Sequence, residues 1–213
     1  MFTLSNIDFS PLNEFVNHPD KHIQGFSGTF EETIKRGGPN SFVPMVTMFS
    51  NMEDIEITIQ CRDYLDKDDM YKAFNEMLHY FSATEAHSFI FAMDIRQTSY
   101  SQKDPDSKKA SATDALSLVF ASEDSSGMLI MPYSIDDNDN VIWDTKEFNL
   151  TSLASDDPSK SYQGEIAELF YLMTHLNGPL FTAAQLLNYY NFRGYNFIFP
   201  DNAVAKSVIK VEI

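Results

Sequence analysis

Between residues 88 and 150 the chain carries a succession of apolar, β-rich runs: "SFIFAMDIRQTSY", "DALSLVFASED", "GMLIMPYSID" and "NVIWDTKEFN". Only short turns separate the last three. Strands joined by short turns pair antiparallel, because a parallel pair needs a crossover of roughly a dozen residues or more. The segment therefore predicts an antiparallel meander, and its apolar side needs a cover. Upstream, "FVPMVTMFSNMEDIEITIQCRD" adds two further runs about a polar turn at Ser50 to Asp54. Ile55, Ile57, Ile59 and Cys61 alternate there with Glu56, Thr58, Gln60 and Arg62, the period of a half-buried strand with one wet face. Pro44 places the first run at a sheet edge, or starts it at that residue.

The cover is legible in "DKDDMYKAFNEMLHYFSAT". Met70, Phe74, Met77, Leu78 and Phe81 recur at helical spacing, and Asp66, Asp68 and Asp69 crowd the end where the helix dipole favours them. Residues 1–40 read as an irregular lead-in. It holds a short helix at "SPLNEFVN", with Ser10 as N-cap and Pro11 at its first position, and a second at "SGTFEETIKRGGPN". Ser27 or Thr29 caps the second, and Gly37, Gly38 and Pro39 stop it. Near the C-terminus "YQGEIAELFYLMTHL" and "LFTAAQLLNYYNF" read as a helical pair, followed by short strands at "YNFIFP" and "VIKVEI". Helices before and after a run of strands give an α+β fold. The expectation is one domain over residues 1–213, with a single, mainly antiparallel sheet of about five to seven strands. The long helix covers one face of it, and the C-terminal pair lies beside or below.

A hydrophobic content of 43%, with 18 phenylalanines, is enough for a sizeable core without staples. The single cysteine, Cys61, rules out a disulfide framework within the chain and suits a reducing compartment. The first residues show no basic n-region, and no run approaches the ~20 apolar residues of a membrane span. The expected location is the cytoplasm. A net charge of −16 argues against direct binding of nucleic acid and against anionic lipid. The acid is concentrated: Asp114 to Glu168 holds 12 acidic residues against Lys146 and Lys160. Such a segment is a solvated surface, or it docks on a basic protein partner that itself handles nucleic acid.

Candidate chemistry is sparse. In "SIDDNDNVIWDTKEF", Asp136, Asn138, Asn140, Asp144 and Glu147 fall at positions 1, 3, 5, 9 and 12 of a calcium loop. Position 6, however, is Val141 where the loop needs glycine, and the flanks read as strands. The stretch is therefore a hairpin tip, and Asp and Asn suit a turn. His18 and His22 are four apart but separated by Pro19, which disfavours a helical zinc face. His79, His87 and His175 read as caps near helix ends. Asp94 and Arg96 share the polar face of their strand, opposite Phe89, Phe91, Met93 and Ile95. They form a solvent-side pair or line a cleft, and Asp94 with Glu123 is the first choice for a catalytic carboxylate pair. Cys61 ends an apolar strand face and reads as a buried hydrophobe. No P-loop, G-x-G-x-x-G, G-x-S-x-G, C-x-x-C or H-E-x-x-H occurs, and no cofactor is called for. The aromatic stretch "NYYNFRGYNFIF" surrounds Arg193 with residues that anchor interfaces: Tyr189, Tyr190, Phe192 and Tyr195. It is a core corner or an interface.

The strand "DALSLVFASED" after a polar lead-in, followed by "GMLIMPYSIDDNDNVIWD", resembles small uncharacterised accessory proteins of marine tailed phages over residues 40 to 150. The resemblance implies an accessory protein that binds a host or phage protein, in the host cytoplasm. The leading functional expectation is a non-enzymatic, acidic interaction protein. The alternatives are a metal-dependent enzyme with carboxylates on the central sheet, and a minor virion component that assembles with copies of itself.

Overall fold

The computed structural model describes residues 8–50, 55–84, 86–99, 111–122, 126–152 and 189–198. A 3-10 helix, Ser10–Glu14, leads into α1, Pro19–Gly37. The sheet then begins with β1 (Met45–Ser50) and β2 (Ile55–Gln60), and α2 (Lys67–Thr84) follows. Next come β3 (Ala86–Ser99), β4 (Ser111–Ser122), β5 (Ser126–Ile135), β6 (Val141–Trp143), β7 (Asn149–Ser152) and β8 (Asn196–Ile198). Every pairing is antiparallel, in the order β6-β5-β4-β3-β1-β2-β8, with β7 also on β5. Among the described residues the fold is α+β with one antiparallel sheet of 8 strands.

The eighth strand has a local cause. "NVIWDTKEFN" is not one strand. Asp144 N–H still bonds Pro132 O across the pair, but Glu147 N–H bonds Asp144 O in a turn, so the chain leaves the ladder after Asp144 and rejoins it at Asn149. β6 pairs with Tyr133–Ile135 and β7 with Gly127–Ile130, along the same edge of β5. Pro44 lies immediately before β1, which is flanked by β2 and β3. It therefore starts an internal strand rather than marking an edge.

Both helices expected in the N-terminal segment are present over residues 8–40, and the second is longer than its sequence suggests. Ile23, Phe26, Phe30 and Ile34 are buried at helical spacing, so the helix starts at Pro19, two turns before Ser27. Ser27 and Thr29 are not caps: their hydroxyls donate to the carbonyls of Ile23 and Gly25 one turn back. His18 is the N-cap, left-handed at φ 56°. In the 3-10 helix the cap is Phe9, and Ser10 N–H is taken by the Asp8 carboxylate. Leu12 and Phe15 of this turn fill the space left where Gly127 has no side chain.

The sheet is thus covered on both faces. On one, Ala73, Phe74 and Met77 of α2 meet Val46, Met48, Ile57, Ile59, Phe89 and Phe91. On the other, α1 and the 3-10 helix meet Met45, Ile90, Ala92, Leu116, Leu118, Phe120, Leu129 and Met131. Each buried side chain of this size contributes roughly 1.5–3 kcal/mol of transfer free energy. Phe30 is fully buried, with Phe42, Tyr133 and Trp143 at ring centroid distances of 5.0, 4.9 and 5.7 Å. The face of β3 that carries Asp94 is therefore only partly a solvent face: Ile90 and Ala92 on it lie under α1, and it opens to solvent at Arg96. The expected C-terminal helical pair falls outside the described residues except for a helical turn at 189–193, as do "VIKVEI", His175 and Glu123.

Candidate interaction surface

The aromatic stretch near the C-terminus divides into anchors and exposed side chains. Residues 189–193 form a helical turn, Gly194 reverses the chain at φ 93°, and β8 joins the sheet beside β2. Tyr190 and Tyr195 are buried in the α2-side core, their rings 5.2 Å apart. They do not belong to an open interface, which corrects the expectation for those two. Their hydroxyls explain why. Tyr190 O–H donates to Glu76 O, and the Tyr195 hydroxyl lies within bonding distance of Ala73 O and the Glu76 carboxylate. Burial pushes both phenols above the ordinary range.

Glu76 is the centre of this corner. Its carboxylate accepts from Arg62 Nε at 3.3 Å and from Arg193 Nη2 at 2.8 Å. Arg62 in turn forks onto Asp69 at 2.9 and 3.0 Å and donates to Asp63 O at 2.9 Å. The fork raises the Arg62 pKa and holds the Asp69 carboxyl down at about 2. Leu65 N–H also donates to Asp69. A side chain at Gly194 would sit 3.7 Å from Arg62 Cβ, so the turn lies directly on this arginine.

Several apolar side chains project from the corner. Phe192 is 89% exposed, Leu65 95% and Tyr189 49%. The Arg193 guanidinium stands 5.9 Å from the centroid of the Tyr189 ring. Of the expected interface set, Tyr189, Phe192 and Arg193 face outward, and Tyr190 and Tyr195 hold them in place. Sequence reasoning missed Arg62, Asp69 and Glu76. The available signal was the spacing of Asp69 and Glu76, two helical turns apart and hence on one face of α2.

The other candidates are not brought together. Asp94 accepts a 2.8 Å hydrogen bond from Tyr133 Oη, and burial raises its carboxyl pKa. Arg96 leaves it and faces Asp114 across the strands at 3.9 Å, both exposed. At the hairpin tip, Asp136 Oδ1 accepts the backbone N–H groups of Asn138 and Asn140, each at 2.9 Å, and Asp139 is left-handed at φ 58°. The Asn140 carboxamide also donates to this carboxylate, and that bond together with the backbone ones lowers its pKa and stabilises the turn. Among the described residues no group of three or more His, Cys, Asp and Glu side chains is gathered for a metal, and no helix is long and apolar enough to cross a membrane. His87 is not a helix cap: α2 ends at Thr84, and His87 lies in β3. No family model matches the chain, and neither a curated protein nor a solved structure matches it.

Proposed function

We propose that the chain is a non-enzymatic, acidic accessory protein of the kind carried by tailed phages, and that it docks on a basic, nucleic-acid-handling protein of host or phage. Phe192 carries the reading. A phenylalanine 89% exposed costs hydration, yet it stands on a turn fixed by the Tyr190, Tyr195 and Glu76 hydrogen bonds. An aromatic side chain on a backbone fixed before binding costs less ordering entropy on docking and serves as an interface anchor. The net charge of −16 selects a basic partner and speeds the encounter.

The test is capture from bacterial lysate on the immobilised chain, washed at low and high salt, beside Phe192→Ala and Tyr189→Ala. A basic protein retained at low salt, released at high salt and lost in both variants supports the reading. Capture indifferent to the two substitutions, or none at either salt, overturns it. Sedimentation of the free chain checks the competing use of the same side chains: a dimer that dissociates in Phe192→Ala would assign the corner to self-association.

A further inference from the structure

One row of side chains runs across four adjacent strands on the α1 side of the sheet. Phe49 of β1 pairs in register with Glu56 of β2 on one side and with Ser88 of β3 on the other, and Ser88 pairs with Ser122 of β4. Two residues along, the equivalent row reads Thr58, Thr47, Ile90 and Phe120, and beyond it stand Met45, Ala92 and Leu118. The face is apolar where α1 crosses it and becomes polar at this end. There it floors a cleft of about 460 Å³. Asn13, Phe15, Asn17, His18 and His22 wall it from the 3-10 helix and the start of α1, and His87 closes it from β3.

Two features of the cleft have no structural explanation. Ser88 is 2% exposed, and among the described residues its Oγ is the buried side-chain oxygen left without a hydrogen-bond partner. Buried hydroxyls are normally paired, so an unpaired one lining the cleft points to a polar group that fills it. Second, the Glu56 carboxylate faces His22, with Nδ1 to Oε1 at 3.8 Å. Burial holds the His22 pKa below the ordinary imidazole value, so the cleft disfavours a charged imidazole as the partner of Glu56. The helix end alone would favour an anion, but Asp20 lies in its first turn and Glu56 opposite.

We propose that this cleft binds a guanidinium group. Glu56 takes the planar fork in the paired geometry that carboxylates offer guanidinium. Ser88 Oγ accepts a remaining N–H, and the Phe49 ring beside them supplies an aromatic wall of the kind on which guanidinium stacks. The Asn13 and Asn17 carboxamides add acceptors, and the acidic chain attracts the cation. The group belongs to a free guanidino compound or to an arginine side chain of a protein. The site lies on the α1 side of the sheet, whereas the aromatic corner packs on the α2 side, so each stands or falls without the other.

Calorimetric titration with agmatine, with N-acetyl-arginine amide and with an arginine-containing tripeptide tests it, using the full chain. Binding is expected to fall at least about tenfold in Glu56→Gln and about threefold in Ser88→Ala, with unchanged circular dichroism in both. Heat from agmatine identifies a free guanidino compound as the ligand, and heat from the tripeptide alone identifies a protein arginine. Equal binding of N-acetyl-lysine amide overturns the guanidinium assignment. So does binding of inorganic phosphate or of zinc ion in place of the arginine probes, or an unaltered affinity in Glu56→Gln.

Discussion

Removing the Glu76 carboxylate tests the account of the aromatic corner more sharply than removing any exposed ring. Glu76→Ala deletes the acceptor for Arg62, Arg193 and Tyr195 at once. These contacts are not equal. Arg193 is 40% exposed, and its pair with Glu76 is a surface ion pair worth ~0–1 kcal/mol. Arg62 is 10% exposed and loses a charge-assisted bond of about 1.5–3 kcal/mol, reduced because its length is 3.3 Å and the Asp69 fork remains. Tyr195 keeps Ala73 O as an acceptor, so its share is small. The total is about 2–3 kcal/mol, a large part of the roughly 5–15 kcal/mol that holds a domain together. In urea, at a slope near 2–3 kcal/mol/M, the midpoint should fall by about 1 M with the slope unchanged. Circular dichroism through the transition reads this directly. Glu76→Gln keeps an acceptor oxygen for Tyr195 and should lose about half as much, and Arg193→Ala should stay within about 0.5 kcal/mol. A midpoint shift below about 0.2 M for Glu76→Ala, or Arg193→Ala costing as much as Glu76→Ala, would refute the claim that Glu76 organises the corner. The variant should also weaken partner capture although every outward-facing aromatic is still present.

Phe30→Ala opens a cavity among Phe42, Tyr133 and Trp143 and should cost about 3–5 kcal/mol. Trp143 is the single tryptophan, so its emission in the native state should shift red as well, and an unchanged spectrum and midpoint would remove α1 from the core. Asp69 has its folded-state pKa depressed by Arg62 from 3.8 to about 2, so its stabilising contribution is complete above about pH 4 and is lost as pH falls toward 2. Thermal midpoints measured over that window should drop less steeply in Asp69→Asn; identical slopes would contradict the pairing. Burial pushes the Cys61 thiol up to about 12, and the side chain is 4% exposed. A disulfide reagent at pH 8 should therefore modify it only through unfolding, at a rate that rises with urea. Rapid labelling of the native chain would show that the strand end is open.

The meander was readable because β4, β5 and the start of β6 follow one another with short turns, and local sequence determines such pairings. The α2 cover was readable because Met70, Phe74 and Met77 keep helical period, and all three pack against the sheet. The start of α1 was not, because Gly25 and Gly28 interrupt the segment and glycine lowers helix propensity by roughly 1 kcal/mol each. Burial of Ile23 and Phe26 against the sheet overrides that cost, and it depends on residues a hundred positions away. The same burial explains Asp94. Alternation of polar and apolar residues identifies two faces of a strand, but it does not say that the polar one is wet. On β3 that face carries Ile90 and Ala92 under α1 before it reaches Asp94, and on the opposite end it carries Ser88 at the cleft.

The two proposed sites differ in legibility for a related reason. Phe192 and Tyr189 stand in one short aromatic stretch, so a sequence reader meets them together and only has to separate them from Tyr190 and Tyr195. Glu56, Phe49, Ser88 and Ser122 come from four strands and become neighbours only through the register of β1 with β2 and β3, and of β3 with β4. His18 and His22 come to the same cleft from the far side because α1 begins at Pro19 rather than at Ser27. A shift of one residue in any of those ladders would turn the polar row away from α1, since side chains alternate faces along a strand. The cleft is thus a consequence of sheet register combined with the length of α1, and substitutions that shorten α1 should abolish it while leaving the aromatic corner on the α2 side intact.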